Sequence, residues 1–395
     1  MIVKRMQALG EKRSVIREIF EYGKKRKAEI GEENVFDFSL GNPSVPAPEC
    51  VKEALLSLLT ERDAVSLHGY TSAQGDAGVR GAIADYLNEN YGVGCTANDL
   101  YMTVGAAASL SACLSAVAGA GEEVVAFAPF FPEYRVFTEQ TGASLSVVPL
   151  DEATFQISFD AFLSVLNEKT AAVIINSPCN PSGTVLSAET LTRLGEILTE
   201  KSKEYGHTIY LIADEPYREL AYDGVEVPYP TLYYPDTLVC YSFSKSISLP
   251  GERIGYILVS PTAKEKAALY AAICGAGRSL GYVCAPSLFQ HLIPKVLGKT
   301  SDVSVYKRNR DLLYSALTEY GYTAVKPEGA FYLFLKSPEA DAYAFAERAK
   351  RHELLIVPGD DFAAPGYVRI SYCVGTEQIE RALPAFRALA KEYNL

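Results

Sequence analysis

The run Ser242-Phe243-Ser244-Lys245, closed by Gly251-Glu252-Arg253-Ile254-Gly255, sets one lysine between two hydroxyls and an arginine. It follows an apolar β-type stretch, and Pro250 and Gly251 hold its loop in a bend. A lysine in that setting can form a Schiff base while its neighbours grip a phosphate. A lone Ser-x-x-Lys says little, because most lysines are solvated surface charges. Three further clusters give this one weight. Gly105-Ala106-Ala107-Ala108-Ser109 opens a helical stretch whose free N–H groups suit phosphate. Asn176-Ser177-Pro178-Cys179-Asn180-Pro181-Ser182-Gly183 is a rigid turn presenting an amide side chain, and Asp214-Glu215-Pro216-Tyr217 places a carboxyl and a phenol together.

Each cluster follows a short β-branched run. Such runs occur at 100–104, 124–127, 145–148, 172–176, 209–213, 238–243 and 254–259. Helical stretches lie between several of them, at 106–118, 159–167 and 187–205. The alternation predicts an α/β fold: a mostly parallel central sheet with helices on both faces. Only a short loop separates Lys245 from the strand at 254, too little for a crossover helix, so one strand is expected to be antiparallel. A helix at 14–30, a helix at 303–319, strands at 330–335 and 366–372 and a closing amphipathic helix predict a smaller α+β domain built from both chain ends. The expected limits are 1–45 for its N-terminal part, 46–293 for the large domain and 294–395 for its C-terminal part. Packing of the two ends would bring Gly41 and Arg369 to one cleft. In an open α/β sheet ligands sit beyond the carboxyl ends of strands, where all four clusters fall.

Composition narrows the function classes. The chain has 395 residues, 48% of them apolar and 22% charged, with a net charge of −11. That balance describes a globular protein without the basic patches that nucleic acid or an anionic membrane would need. The densest basic run, Lys24-Lys25-Arg26-Lys27, is interleaved with Glu21 and Glu29 and reads as a solvated helix face. The opening residues meet charge too early for a secretion signal, and 106–121 is too short and too polar for a membrane span. Eight scattered cysteines without C-x-x-C, and no histidine at metal-ligand spacing, predict free thiols in a cytoplasmic protein and no metal site. None of the four histidines falls in a recognised motif. A dinucleotide-binding oxidoreductase would need G-x-G-x-x-G between strand and helix. Gly119-Ala120-Gly121 and Gly275-Ala276-Gly277 lack the third glycine. A noncatalytic small-molecule binding protein is the remaining bland alternative.

Taken together, Ser39-Leu40-Gly41-Asn42-Pro43, Tyr70 with Gly75 and Gly78, the turn at 176–183, Asp214-Glu215-x-Tyr217, the lysine loop and Tyr367-Val368-Arg369-Ile370-Ser371 carry a resemblance. From about Phe38 to Tyr372 the chain resembles the class I/II pyridoxal-phosphate aminotransferases of the aspartate aminotransferase fold. The resemblance implies pyridoxal 5′-phosphate as cofactor, bound by the large domain, and ping-pong transfer of an amino group from an L-amino acid to a 2-oxo acid. It makes Lys245 the Schiff-base lysine and proton carrier, and Asp214 the acid beneath the pyridine nitrogen. Tyr217 and Asn180 match the pair that bonds the 3′ oxygen. Ser242, Ser244, Arg253 and the N–H groups of Gly105, Ala106 and Ala107 match the phosphate contacts. Phe131 aligns with the aromatic that stacks on the ring. Relatives often have tryptophan there, this chain has none, and Phe130 is a rival.

On the substrate side, the resemblance gives the α-carboxylate to Arg369, with Gly41 and Asn180 beside it. Tyr70 matches the residue that reaches the neighbouring subunit's phosphate, which implies a homodimer with shared sites. Arg278 lies near the segment from which dicarboxylate-specific relatives send an arginine across the dimer, so aspartate and glutamate are candidate donors. The lysine that another aspartate-specific group carries near Ala107 is absent. A carbon-sulfur β-lyase of the same fold is the alternative reaction. Such lyases often carry histidine where Cys179 stands, which favours transamination here.

Overall fold

The computed structural model describes residues 2–11, 14–149 and 151–395. Seven strands form its central sheet: β1 (Leu100–Thr103), β2 (Glu123–Phe127), β3 (Ser144–Val148), β4 (Thr170–Asn176), β5 (Tyr210–Asp214), β6 (Thr237–Ser242) and β7 (Gly255–Val259). They lie side by side in the order β1, β7, β6, β5, β4, β2, β3. All neighbours are parallel except β7, which runs antiparallel to both β1 and β6. This is the mixed sheet expected from the sequence, with the reversal at the short connection after Lys245.

Alternation along the strands explains why both faces are covered. Val173, Ile175, Leu211, Ala213 and Val239 enter one core, while Ala172, Ile174, Ile212, Leu238 and Cys240 enter the other. A parallel strand buried on both faces reads as an unbroken apolar run, as 171–175 does. The helix Ala106–Val117 crosses the second face over β5 and β6, burying Leu110, Cys113 and Leu114. The helix Ala188–Tyr205 covers the first face. It starts where Ser187 Oγ accepts from Thr190 N at 3.1 Å and stops at Gly206, whose φ of +77° suits glycine.

The smaller α+β unit has four antiparallel strands: β8 (Thr323–Ala324), β9 (Tyr332–Lys336), β10 (Val357–Pro358) and β11 (Tyr367–Ser371), in the order β10, β11, β9, β8. Both chain ends build it. Phe36–Asp37 pairs in parallel with Leu354–Leu355, and Ser371 N donates to Phe38 O at 2.9 Å. The basic run on the helix Val15–Ile30 is more than a solvated face. Arg26 Nη2 meets Glu353 at 2.6 Å and Lys27 Nζ meets Asp37 at 3.3 Å, tying that helix to the short parallel pair. The two-residue strands were not legible in the sequence because so short a pairing has no period to detect.

All eight cysteines are free. Among the described residues, no helix is long and apolar enough to cross a membrane, and no group of three or more His, Cys, Asp or Glu could hold a metal ion.

Candidate active site

The carboxyl ends of β4, β5 and β6 stop in register, with Asn176 opposite Asp214 and Asp214 opposite Cys240. Beyond them opens a cavity of about 310 Å³ that the smaller unit closes with Tyr332 and Arg369. Gly41, Ala106, Ala107, Phe131, Asn180, Asp214, Tyr217, Ser242, Ser244, Lys245 and Arg253 also line it. Thirteen of the sequence-derived site residues, Arg369 among them and Gly105 at the rim, are thus in one place.

Lys245 sits in a single helical turn, Phe243–Ser246, where the sequence suggested an irregular loop. Its Nζ donates to Gly41 O at 2.7 Å, across the junction between the two units. Burial pushes the amine down to about 8; the Cys373 thiol opposes that, and the charges of Arg253 and Arg369 add to it. A lysine so placed is available as a neutral nucleophile or base near neutral pH.

Asp214 is buried at the end of β5, with Oδ2 accepting from Tyr134 Oη at 2.6 Å. Its Oδ1 is buried and has no partner. Burial raises the carboxyl to about 7; the Tyr134 bond lowers it and Glu215 raises it further. A buried carboxylate oxygen without a donor is costly, and here it belongs to a residue lining a cavity. A cationic N–H entering that cavity would satisfy it.

The same cavity also holds an anion cradle. Arg253 adopts φ +52° and donates from Nη1 to Pro250 O at 2.8 Å. A Cβ on Gly105 would lie 2.6 Å from Arg253 Nη2, so only glycine lets the guanidinium lie against the start of the helix Ala106–Val117. Ser242 Oγ and Ser244 Oγ lie 2.6 Å apart beside it. Guanidinium, two hydroxyls and a helix N-terminus together suit a phosphate.

Arg369 projects from β11 and is 2% exposed. Nη1 donates to Asn180 Oδ1 at 3.1 Å and Nη2 to Ser39 O at 2.7 Å, while Nε is buried without a partner. Its guanidinium lies over the rings of Tyr332 and Phe362, at 4.7 and 4.9 Å from their centroids. Asn176 fixes the turn that carries Asn180: its Nδ2 donates to Asp214 O at 2.7 Å and its Oδ1 accepts from Asn180 N at 2.7 Å. Tyr217 Oη lies 2.9 Å from Tyr332 Oη.

Of the two phenylalanines left open by the sequence, Phe131 faces the cavity. Phe130 is 3% exposed and stacks on Tyr134 at 6.1 Å, in the core behind. Cys179 donates to Pro129 O at 3.6 Å and lines a separate, smaller cavity. Two expected residues lie apart from the cavity within one chain. Tyr70 is 90% exposed, and Arg278 is exposed on the helix Lys266–Ser279. Gln74 Nε2 reaches Cys274 Sγ at 3.8 Å, linking the segment after Tyr70 to the Arg278 helix.

The sequence pattern singled out neither Tyr134 nor Tyr332 nor the apolar lining from Ile16 and Leu110, and it gave Ser39 a place in a motif but no role. Tyr332 lies in the run Ala330-Phe331-Tyr332-Leu333-Phe334-Leu335, which reads as a core strand with nothing to single out one phenol. Tyr134, three residues after Phe131 at the start of a helix, had a usable signal in that spacing.

A family model described as aminotransferase class I and II matches residues 33–386. Aspartate aminotransferase of Pyrococcus abyssi is 29% identical over 97% of this chain and 97% of its own length. Aspartate/prephenate aminotransferase of Thermus thermophilus is 30% identical over 88% of each chain. Among solved structures, an amino transferase from Eubacterium rectale superposes with a TM-score of 0.98 at 56% identity, covering 100% of both chains. Thermus thermophilus aspartate aminotransferase with maleate gives 0.87 at 27%, covering 98% and 99%.

Proposed function

This chain belongs to the class I and II aminotransferase family and is a transaminase, and we propose that it works with pyridoxal 5′-phosphate held in the cavity at Lys245. The observation that carries the cofactor is the pairing of an unpartnered Asp214 Oδ1 with an anion cradle at Gly105 and Arg253. The first asks for a cationic ring nitrogen and the second for a phosphate. When bound, the cofactor supplies a protonated ring that draws away the electron pair left by a broken Cα–H bond.

The protein's own groups do the rest. Lys245 holds the cofactor covalently, and its amine, once free, takes the proton from the substrate α-carbon. Asp214 presents negative charge to the ring nitrogen, with Tyr134 fixing the orientation of its carboxyl. Arg253, Ser242, Ser244 and the N–H groups of Gly105, Ala106 and Ala107 hold the phosphate, and Phe131 packs on the ring. Tyr217 and Asn180 bond the ring oxygen. Arg369, with Gly41 and Asn180, grips the α-carboxylate, and its free Nε belongs to a second prong of that grip. Fixing the carboxylate fixes the Cα–H bond relative to the ring.

The protein acts as a homodimer in which Tyr70 serves the partner's phosphate site. Arg278 reads the distal carboxylate of aspartate or glutamate across the interface, in keeping with relatives named aspartate aminotransferases. Eight free thiols suit a cytoplasmic location. The chain divides into 1–45, 46–293 and 294–395: one core cluster draws mainly on residues 51–296, and another mainly on residues 306–390 with Phe38 and Val45.

The test is a half-reaction. Holoenzyme mixed with aspartate and no acceptor is expected to release one oxaloacetate per site as the cofactor's visible band converts, and to recover the band on adding 2-oxoglutarate. Continued release of pyruvate and ammonia from cysteine without any acceptor would contradict transamination and support the lyase.

A further inference from the structure

We propose that Tyr332 is a positioning residue of the active site: its hydroxyl donates to Tyr217 and thereby turns the Tyr217 proton towards the cofactor's 3′ oxygen. The inference rests on the reading that this cavity holds pyridoxal 5′-phosphate with Tyr217 at that oxygen.

The geometry is specific. Tyr332 opens β9, opposite Ser371 on β11, and is 2% exposed. Its Oη lies 2.9 Å from Tyr217 Oη, and a Cβ on Gly41 would fall 1.9 Å from that same Oη. Gly41 therefore has no side chain because the Tyr332 hydroxyl occupies the space. One phenol thus touches the residue proposed for the cofactor oxygen, the glycine beside the substrate carboxylate and, through its ring, Arg369.

Two phenols at this distance have one hydrogen bond between them, so one donates and the other accepts. If Tyr217 donates to Tyr332, it has no proton left for the cavity. If Tyr332 donates, the Tyr217 proton is free. The Arg369 guanidinium, 4.7 Å from the Tyr332 ring centroid, decides the direction. A cation over the ring stabilises the negative charge that donation builds on the phenol oxygen, making Tyr332 the better donor. The titratable groups facing Tyr332 are Arg369, Cys373 and Tyr217. Burial raises both phenols, Tyr332 to about 12 and Tyr217 well above the ordinary value, so both keep their protons.

A donor aimed at the cofactor oxygen stabilises its anionic form. Weakening that donor should raise the pH at which the bound cofactor's visible absorbance titrates. The experiment is a spectrophotometric pH titration of holoenzyme for wild type, Y332F, Y217F and Y217F/Y332F, with circular dichroism confirming the fold of each. Y332F is expected to raise the midpoint by about half a pH unit, the size of one lost neutral hydrogen bond, because Tyr217 loses the donor that polarises and orients it. Y217F should raise it further, and the double variant no further than Y217F. A Y332F midpoint equal to wild type while Y217F is shifted would overturn the proposal, as would a double variant shifted by the sum of the two. Failure of the wild type to develop any visible band with pyridoxal 5′-phosphate would overturn the proposed cofactor as well.

Discussion

Tyr134 donates a 2.6 Å hydrogen bond to one oxygen of Asp214 and leaves the other oxygen buried and unpaired. The bond lowers the Asp214 pKa against a burial that raises it to about 7, so it favours the charged carboxylate that a cationic ring nitrogen requires. Tyr134→Phe should therefore weaken cofactor binding about tenfold, the equivalent of roughly 1.4 kcal/mol. Fluorescence titration of the apoprotein with pyridoxal 5′-phosphate would check this. An unchanged dissociation constant would mean that the bond does not orient the carboxyl for its partner.

The same carboxyl has a stability consequence in the apoprotein. A folded pKa of about 7 against an ordinary 3.8 means that between these values the native state holds a proton the unfolded chain has released. Stability then falls as pH rises through that window and levels off above it. Asp214→Asn removes the titration while keeping the shape. It should raise the apoprotein's melting temperature relative to wild type at pH 8 but not at pH 4, while abolishing transamination. The stabilisation expected is on the order of 1–4 kcal/mol.

Gly105 stands at φ +93° with its missing Cβ 2.6 Å from Arg253 Nη2. Gly105→Ala should displace the guanidinium and strain the backbone, costing about 1–3 kcal/mol of stability. Its distinguishing effect should be on phosphate: pyridoxal 5′-phosphate should bind far more weakly to the variant, while unphosphorylated pyridoxal should lose little. Equal losses for both ligands would place the damage elsewhere.

Arg369 has one Nη bond to Asn180, another to Ser39, and a free Nε. A lysine there supplies charge without the fork. Arg369→Lys should raise KM for the amino donor by about one to two orders of magnitude, equivalent to roughly 1.4–2.8 kcal/mol. The cofactor's visible spectrum should be unaffected. A changed spectrum with normal KM would assign the residue to the cofactor instead.

Much of this was readable from the sequence because the chemistry sits at strand ends. Asn180, Asp214 and Lys245 follow apolar β-runs, and polar residues in that position stand out. The seven central strands were also visible, the inner ones because strands buried on both faces are continuous apolar runs and the edge strand Ser144–Val148 by its β-branched residues. What was not legible depends on three-dimensional approach. Tyr332 lies within an apolar strand and gains its meaning only from Tyr217, 115 positions away, and from a glycine that leaves it room. Phe130 and Phe131 are adjacent and chemically identical, so only the backbone direction separates core from cavity. The pairing of Arg26 with Glu353 spans 327 positions, beyond the reach of any local pattern.

Tyr70 is 90% exposed in one chain, as a residue serving a second chain's site would be. Hybrid dimers test that directly. A Tyr70→Ala subunit paired with a Lys245→Ala subunit places both defects in one site and leaves the other complete. Mixed dimers should regain up to half of wild-type activity per dimer from two inactive parents. Hybrids no more active than the parents would contradict a shared site.

The central claim is that Lys245 is the covalent anchor. Holoenzyme treated with borohydride, digested and examined by mass spectrometry should carry one phosphopyridoxyl group per chain, on the peptide containing Lys245. Modification of a different lysine, or none in protein that retains the visible band, would contradict it.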